Sequence, residues 1–486
     1  MSPALVSLGV MASIVAAGTA AGFVAGGRGS LSLEQWLLGA RGFGAVLVFL
    51  LTAGEIYTTF TFLGVSGWTY SRGGPTLYIL AYMTLAYVVA FFLAPRIWEL
   101  GKLTGMQTQP DFFALRYGNR WLAGFVCIVG IASLVPYLQL QIIGLGIIAS
   151  VTSFGGIGRT PAMVVAVVLL VAFVLANGVR AIASVSVVKD ALMLLCALVI
   201  GIGVPLVHFG GVGAMFAELV RTHPHHLTMP GETRNLGHAW YVSTVLMGAL
   251  GGLMWPHLFG ATFTARSADA LRRNYVVMPL YTIVIVLMFF AGFAAFLVLP
   301  HLANGDLALL AVVRRTFPPW FLGVVGGAGA LAAMVPASIF ILTSASLFAK
   351  NLVRPVVAPQ MSEDQLGRLA RIMVIVIAAT SLYLAIAEPA SLVSLLLVGY
   401  AGVVQFFPGV LLGVYCRRVT AFAVFLGMGA GIGLAGFLML THRDPFHGLN
   451  AGFLGLCCNF LLTVLVSCLA PAAVTGGEAV AGATEL

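Results

Sequence analysis

Charged residues are scarce in this sequence. Asp, Glu, Lys and Arg make up 8% of its 486 residues, whereas 60% are hydrophobic and the mean hydropathy is +1.06. A soluble globular domain carries about 25% charged residues. The longest polar stretches, residues 210–238 and 351–371, are too short to form a separate soluble domain. The composition therefore predicts one domain, residues 1–486, whose surface faces lipid.

The sequence also lacks the common motifs of enzymes and metal sites. It contains no H-E-x-x-H, G-x-S-x-G or phosphate-loop motif and no paired catalytic acids. Its six cysteines lie in or beside apolar stretches, without the spacing of metal ligands. We therefore expect neither an enzyme nor a bound cofactor.

The positive charge is not arranged for nucleic acid. The net charge is +9, but the Lys and Arg residues are scattered as singles and pairs between apolar runs. A nucleic-acid-binding surface concentrates them in a patch or stripe. We expect a lipid bilayer, and no nucleic acid, as the partner of this surface. The oligomeric state is left open by the sequence.

Long apolar runs are what the sequence has in abundance. A helix needs about 20 apolar residues to cross a membrane. Thirteen stretches meet this requirement. They are residues 3–25, 43–67, 75–97, 121–150, 161–179, 184–208, 239–262, 276–300, 320–349, 370–387, 391–415, 418–440 and 447–470.

The distribution of Lys and Arg predicts the orientation of these segments. The first run has no basic residue before it, and Arg28 and Arg41 follow it, which is the reverse of a secretory signal. With the amino terminus outside, 17 of the 24 Lys and Arg residues belong to the inside set, counting Lys189, which is expected within the membrane. The positive-inside rule therefore predicts a multi-pass protein of a bacterial inner membrane, amino terminus outside and carboxyl terminus in the cytoplasm.

Two of the apolar segments contain residues that a plain lipid-facing helix would not use. The second includes residues 51–67 and the seventh residues 247–260, and both mix glycine with polar groups at mid-membrane. They lie five segments apart. Interrupted helices at matching positions of two halves indicate an inverted-repeat transporter, because broken backbone is tolerated only around a protein-lined cavity. We predict core repeats at about 42–212 and 237–415, flanked by helices at 3–25, 418–440 and 447–470.

Five short runs, in this order and spacing, resemble the sodium:solute symporter family along nearly the whole chain. The runs are Phe62-Leu-Gly-Val-Ser-Gly67, Pro136-Tyr-Leu-Gln-Leu-Gln141 with Gly144, Asn177-Gly-Val-Arg-Ala-Ile182, Pro256-His-Leu with Thr264-Ala-Arg-Ser and Arg272-Arg-Asn, and Gln405-Phe-Phe-Pro-Gly-Val-Leu-Leu-Gly413. The resemblance implies an all-α membrane protein with a five-plus-five inverted-repeat core and broken first and sixth core helices. Two further runs, Gly54-Glu-Ile-Tyr-Thr-Thr-Phe-Thr61 and Ala333-Met-Val-Pro-Ala-Ser338, resemble the family's monocarboxylate permeases for lactate, pyruvate and acetate.

The sequence departs from the family at the sodium site. The resemblance places this ion between backbone carbonyls, here of Gly54 and Tyr57, and a hydroxyl pair on the eighth core helix. That pair falls on Val335 and Pro336, whose side chains offer no oxygen, although hard cations need several. Ser338 is nearby in sequence but on a different face, and the family's Asp on the fifth core helix corresponds to Ser186.

Three charged residues stand inside predicted helices near this site. Lys189, followed by Asp190, lies one turn beyond Ser186, and Glu55 adjoins the first predicted break. Because charge within a membrane is costly, it usually marks an ion or proton path. We hypothesise that the Lys189 ammonium occupies the vacated sodium position and couples transport to protons. The alternative is that Lys189 extends to the interface and pairs with Asp190 or a lipid phosphate. Glu55 is predicted to carry a proton or bind an ion, and its alternative is a capping or packing role.

Polar and aromatic residues beside the breaks are the candidates for substrate binding. The predicted set is Tyr57, Thr58, Thr59, Thr61, Tyr137, Gln141, Trp255, His257 and Gln405. Half-helix termini suit an anionic group. The sequence therefore predicts a proton-coupled importer of a small organic anion such as pyruvate, lactate or acetate. A sodium-coupled symporter of another small solute and a transporter-like sensor acting through a partner remain alternatives. A channel is disfavoured, because it would lack the substrate-linked closure that broken helices imply.

Overall fold

The computed structural model describes residues 2–25, 44–176, 179–230, 235–388 and 390–469. Within these residues the chain is helical, and the one β-type pairing is an isolated bridge between Phe446 and Leu449. The all-α prediction is confirmed. Arg28, Arg41, residues 177–178 of the run at 177–182, the predicted repeat start at 42 and residue 470 at the end of the last predicted segment lie outside the described residues.

The helices of the described residues are numbered in chain order. They are α1 (Pro3–Ala25), α2 (Ala45–Ile56), α3 (Val65–Arg72), α4 (Tyr78–Thr104), α5 (Gln109–Tyr117), α6 (Arg120–Thr152), α7 (Arg159–Ala176), α8 (Val179–Phe209), α9 (Val212–Thr222), α10 (His238–Gly251), α11 (Pro256–Thr262), α12 (Ala268–Tyr281), α13 (Ile283–Val298), α14 (Ala308–Thr316), α15 (Pro319–Ser346), α16 (Arg354–Val356), α17 (Glu363–Ala387), α18 (Leu392–Val403), α19 (Phe406–Tyr415), α20 (Ala421–Leu440) and α21 (Ala451–Leu469). Short π or 3₁₀ segments are Phe60–Gly64, Gly74–Leu77, Pro224–Leu227, Gly252–Met254, Gly305–Leu307 and Leu347–Val353.

The number of possible membrane spans agrees with the prediction. Ten helices are long and apolar enough to cross a membrane, and three bent pairs raise the number to 13 among the described residues. The bends lie between Ile56 and Phe60 (52°), at Trp255 (51°) and between Val403 and Phe406 (40°). The first two are the breaks predicted in the second and seventh segments. The third bend, in the eleventh segment, was not predicted.

Local chemistry accounts for the first two breaks. Tyr57 has extended backbone (φ −89°, ψ 93°) and ends α2, and the Thr58 hydroxyl accepts a hydrogen bond from the Phe60 N–H (3.1 Å). Trp255 is also extended (φ −60°, ψ 128°) and precedes Pro256, the first residue of α11. A residue before proline is disfavoured in helix, and proline suits a first helical position. The chain therefore leaves the helix at both points and re-enters it at once.

Glycines let the flanking helix α1 approach the core. A methyl group at Gly323 or Gly327 of α15 would collide with Ser7, Val10 or Ile14 of α1. These glycines are four residues apart, the small-residue spacing of closely packed membrane helices. The flanking helices α20 and α21 meet in the same way, since Gly431 and Gly455 face each other. The repeat boundaries at 212, 237 and 415 stay a prediction.

Candidate functional site

The Lys189 ammonium lies at the end of α2, where the first break begins. Its Nζ donates hydrogen bonds to the carbonyl oxygens of Gly54 (3.2 Å) and Tyr57 (2.8 Å), and its side chain is fully buried. Carbonyl oxygens at a helix carboxyl end carry the negative end of the helix dipole and lack partners within the helix. A cation fixed there satisfies both groups. These are the two carbonyls that the family resemblance assigns to sodium.

Residues of α8 and α15 form other sides of this position. A methyl group at Gly54 would lie 3.0 Å from Cβ of Ser186 on α8 and 3.5 Å from Cγ1 of Val335 on α15. The Val335 side chain has no oxygen. The Ser186 hydroxyl donates to the Ile182 carbonyl (3.0 Å), and the Ser338 hydroxyl donates to that of Met334 (2.7 Å), so the proton of each hydroxyl is used within its own helix.

Asp190 completes the charge pair. Its Oδ1 lies 2.8 Å from Lys189 Nζ, and its backbone carbonyl accepts a hydrogen bond from the Tyr281 hydroxyl (3.0 Å). Lys189 therefore pairs with Asp190, as one alternative held, but inside the protein rather than at the interface. A buried ion pair of this kind is costly to break, because removing one partner leaves the other charge unpaired.

A central cavity lies between the first and second breaks. Its empty space, including the part open to solvent, is about 600 Å³. Helices α2, α4, α6, α12 and α18, the π segment and the second break line it. The lining residues are Thr52, Glu55, Ile56, Phe60, Tyr82, Met83, Ala86, Tyr87, Ala90, Tyr137, Gly252, Leu253, Trp255, His257, Leu258, Tyr275, Leu396 and Tyr400.

Glu55 and His257 also line a second cavity of about 520 Å³. That cavity extends toward α5, where Gln107 and Thr108 contribute to its wall. Oε2 of Glu55 and both ring nitrogens of His257 are buried without a hydrogen-bond partner. Buried polar atoms are nearly always paired, so unpaired ones in a cavity wall indicate a position for a ligand or water. Glu55 and His257, which both have unpaired hydrogen-bonding atoms, are therefore the two side chains that the two cavities share.

The predicted substrate residues divide into two groups. Tyr137, Trp255 and His257 line the central cavity, as does Glu55. Tyr57, Thr58, Thr59, Thr61 and Gln141 are buried beside the first break but outside that lining. Thr59 packs against Gly144 of α6, and the Tyr57 hydroxyl lies 3.0 Å from that of Tyr87. The amide of Gln141 and the hydroxyls of Thr59 and Thr61 have no partner.

Gln405 corrects the prediction. Its Nε2 donates to the carbonyls of Ala401 (3.1 Å) and Gly452 (3.2 Å), and Asn459 Nδ2 donates to its backbone oxygen (2.7 Å). The side chain therefore ties the third bend to α21 instead of facing the central cavity. The bend at 404–405 turns it away, and that bend was not predicted from the sequence.

The prediction missed four tyrosines that line the central cavity. Tyr82 and Tyr87 of α4, Tyr275 of α12 and Tyr400 of α18 line the cavity. The signal on α4 was weak, because Tyr82 and Tyr87 are five residues apart, which is not one of the spacings that place two side chains on the same helix face. Tyr275 and Tyr400 stand alone in their segments, where a membrane aromatic more often packs or anchors at an interface.

A polar cluster joins α5 to the end of α15. Lys350 Nζ lies 3.0 Å from Asp111 Oδ2, and Asn351 Nδ2 donates to Asp111 Oδ1 (2.7 Å). Asp111 also forms a capping box with Thr108 at the start of α5. Burial alone would raise the Asp111 pKa, but the Lys350 ammonium and hydrogen bonds from Gln107, Lys350 and Asn351 lower it below 3.8. The side chain of Gln109 reaches the second break, donating to the Met254 carbonyl (3.0 Å).

Asp306 lies in the connection between α13 and α14, after the eighth predicted span. It is buried, accepts a hydrogen bond from the Leu392 N–H at the start of α18 (3.3 Å), and packs its backbone against Gly67 of α3. Burial raises its pKa from 3.8 to about 6, and the Leu392 N–H and Arg159 oppose that rise. Asp306 thus contacts two of the three broken spans: the first, through Gly67 of α3, and the third, through Leu392 of α18.

Comparison with known proteins agrees with this architecture. The family model described as "SSF: Sodium:solute symporter family" matches residues 36–431. An uncharacterized symporter of Bacillus subtilis (strain 168), YhjB, is 42% identical over 90% of this chain and 91% of its own. A monocarboxylate transport permease of Rhizobium johnstonii is 26% identical over 90% of this chain and 91% of its own length. A substrate-bound, outward-open structure of a Na⁺-coupled sialic acid symporter superposes with a TM-score of 0.79 at 16% identity, covering 96% of this chain and 98% of that one.

Proposed function

Because the chain belongs to the sodium:solute symporter family, and is therefore a multi-pass secondary symporter of a small solute, we propose that it imports a monocarboxylate together with protons. The observation that carries the choice of ion is the pair of hydrogen bonds from Lys189 Nζ to the Gly54 and Tyr57 carbonyls. An ammonium at this position takes the oxygens that a sodium ion would need. Val335 supplies no replacement for them.

Glu55 is the proposed proton carrier. No Lys or Arg is among the described residues that line the central cavity. An ionised Glu55 in that wall would repel an anionic substrate at short range, and low dielectric would strengthen the repulsion. A protonated Glu55 is neutral and can donate a hydrogen bond to a carboxylate. Proton and anion would therefore load together, which is the requirement for symport.

His257 is the proposed second contact of the carboxylate. Its ring carries one N–H donor when neutral, and both ring nitrogens lack a protein partner. Since Glu55 and His257 line both cavities, a substrate held between them would need only a shift of these side chains to pass from one cavity to the other. The resemblance of residues 54–61 to monocarboxylate permeases and the likeness to the Rhizobium permease support this substrate class.

The proposed orientation assigns the two cavities to the two sides of the membrane. We place the protein in a bacterial inner membrane with the amino terminus outside. The second cavity, toward α5, then opens to the cytoplasm, and the end near Asp306 faces outward. The positive-inside bias of the sequence supports this orientation.

Uptake into proteoliposomes tests the coupling ion and the substrate class together. Radiolabelled pyruvate, lactate and acetate are offered under an imposed inward proton gradient, an inward sodium gradient, or neither. We expect accumulation driven by the proton gradient in sodium-free buffer, saturable and competent for counterflow. Accumulation that requires sodium and ignores the proton gradient would overturn the choice of ion. Failure of every monocarboxylate to be transported or to compete would overturn the substrate class.

A further inference from the structure

We propose that the preferred substrate is an aryl monocarboxylate, whose ring lies against the aromatic wall of the central cavity while its carboxylate meets Glu55 and His257. This inference rests on the proposed function and narrows its substrate class. Short hydrophilic acids such as acetate, lactate and pyruvate become the weaker substrates.

The aromatic wall is a continuous row of four side chains from four elements: Tyr82 of α4, Tyr400 of α18, Trp255 at the second break and Tyr137 of α6. The ring centroids of Tyr82 and Tyr400 are 5.5 Å apart, those of Tyr400 and Trp255 5.2 Å, and those of Trp255 and Tyr137 4.9 Å. All four residues are 1–8% exposed. Centroid separations of 4.5–7 Å in tilted or edge-to-face geometry are those of favourable aromatic pairs. The row therefore presents faces and edges to which one more ring can add.

Other parts of the lining are also apolar or aromatic. Phe60 follows the first break, and Tyr87 and Tyr275 belong to α4 and α12. The Tyr87 hydroxyl is already paired with that of Tyr57 at 3.0 Å. Burial of a substrate ring in this lining is favourable in proportion to its apolar area, and acetate has only a methyl group to bury.

The buried lining atoms without a hydrogen-bond partner are Oε2 of Glu55 and the two ring nitrogens of His257. Thr52, by contrast, donates to the Val48 carbonyl (2.7 Å) and lies 3.3 Å from the Asn274 amide. The other polar groups of the lining are the hydroxyls of its tyrosines and the indole N–H of Trp255, which belong to the aromatic side chains themselves. Glu55 and His257 are therefore the place in the lining where a carboxylate meets unpaired buried groups.

The proton at Glu55 decides between an acid and an amine. An aromatic cavity with an ionised carboxylate would also suit an organic cation through cation–π contacts. The Lys189 ammonium next to this site is balanced by Asp190, so the pair brings no net charge that would select a cation or an anion. The proposed proton on Glu55 makes that choice, because a neutral Glu55 offers no counter-charge to a cation and can donate a hydrogen bond to a carboxylate. An aryl acid entering with a proton adds no net charge.

A ligand panel on the unmodified, purified protein is the primary test. Phenylacetate, acetate, lactate, pyruvate, phenylacetamide and phenethylamine are compared by inhibition of uptake into proteoliposomes and by ligand-induced thermal stabilisation in detergent. We expect phenylacetate to act at concentrations at least roughly tenfold lower than any of the short acids, since a single methylene in a fitted pocket already gives about that ratio. The amide and the amine, which lack the carboxylate, are expected to be weaker than phenylacetate.

The alternatives give separate results. If a short acid matches or exceeds phenylacetate, the aryl inference is wrong and the proposed monocarboxylate function stands. If phenethylamine or phenylacetamide exceeds phenylacetate, or if no acid acts, both the inference and the proposed substrate class are wrong.

A pair of variants tests the aromatic wall itself. Trp255→Leu should reduce the preference for phenylacetate over acetate by roughly tenfold. Trp68→Leu is the matched control, because Trp68 is buried against Tyr78 and Trp240, outside the cavity lining. It should leave the ratio unchanged. An unchanged ratio in Trp255→Leu, with Trp68→Leu also unchanged, would contradict the assignment of the aryl group to this wall.

Discussion

The Nζ atom of Lys189 lies 2.8 Å from the carbonyl oxygen of Tyr57, the residue at which α2 ends. A charged side chain on α8 is thereby attached to the backbone of the first broken span. Movement of α8 relative to α2 must either carry this hydrogen bond along or break it. Lys189 thus links the first and last helices of the first predicted repeat.

Removal of the Lys189 charge should destabilise the protein and abolish coupled transport. Lys189→Met leaves Asp190 unpaired and two carbonyl oxygens without a donor. We expect a loss of about 3–5 kcal/mol, as for other buried pairs that lose one partner. Thermal unfolding in detergent measures this loss. Adding Asp190→Asn should recover part of it, because the orphaned charge is gone. A single variant as stable as the unmodified protein would contradict the pairing described here.

Replacement of the lysine should also make room for sodium. In Lys189→Ala combined with Val335→Ser, the Gly54 and Tyr57 carbonyls are free and one hydroxyl is added nearby. We expect thermal stabilisation by NaCl over choline chloride in this double variant and none in the unmodified protein. Lys350→Ala, which removes a lysine at the end of α15, is the control for a general effect of salt. Equal responses of all three proteins would refute the sodium position.

Glu55→Gln should separate exchange from accumulation. The amide keeps the size of the side chain and can donate a hydrogen bond, but it cannot release a proton. We expect counterflow to persist and proton-driven accumulation to fall to the level of passive equilibration. Glu99→Gln on α4 is the matched control, because Glu99 is exposed and paired with Arg96. Accumulation by Glu55→Gln that still follows the pH gradient would exclude Glu55 as the proton carrier.

Asp306 should make stability depend on pH. Its pKa in the folded protein, about 6, is above its ordinary value of 3.8, so the buried charge destabilises the fold as pH rises through this interval. Stability should therefore be lower above pH 6 than near pH 4, by up to about 3 kcal/mol, because each pKa unit corresponds to about 1.4 kcal/mol. Asp306→Asn, which keeps an acceptor for the Leu392 N–H, should be more stable than the unmodified protein at pH 7.5. Thermal unfolding from pH 4.5 to 8 measures both profiles. The same dependence in both proteins would assign it to other groups.

Gly144→Ala should impair transport through the first break. A methyl group at Gly144 would overlap Cγ2 of Thr59, which follows the break and is fully buried. We expect a loss of about 1–3 kcal/mol from overpacking and a lower rate of uptake. Gly433→Ala on α20 is the control, since nothing lies within 4 Å of a methyl group there. That change should be neutral or stabilising, because alanine is favoured over glycine in helices.

The sequence predicted the spans and the first two breaks because both have local signatures. Apolar runs of membrane length define the thirteen segments, and glycine with polar residues at 51–67 and Pro256 mark the interruptions. Lys189 could be singled out because a charge in an apolar run is conspicuous. The contacts of its Nζ agree with the carbonyls that the family resemblance named.

The third bend had a local signal that the prediction did not use. Pro408 lies four residues after Val404, and a proline removes the helical hydrogen bond to the carbonyl four residues before it. The contact of Gln405 with Asn459, in contrast, depends on tertiary packing. The aromatic wall is assembled from Tyr82, Tyr137, Trp255 and Tyr400, which are far apart in the sequence and individually resemble ordinary packing residues. Only the convergence of four elements makes them a site, and that convergence is not encoded in any single segment.

The hydrogen bonds of Lys189 at the end of α2 affect how the occupancy of this position depends on the salt concentration of the medium. A free ion occupies a site according to its concentration, whereas a tethered group has an effective concentration set by its linkage. The ammonium is part of the chain, so its local concentration is the same at low and at high external salt. The occupancy of this position by the ammonium is therefore independent of the salt concentration of the medium.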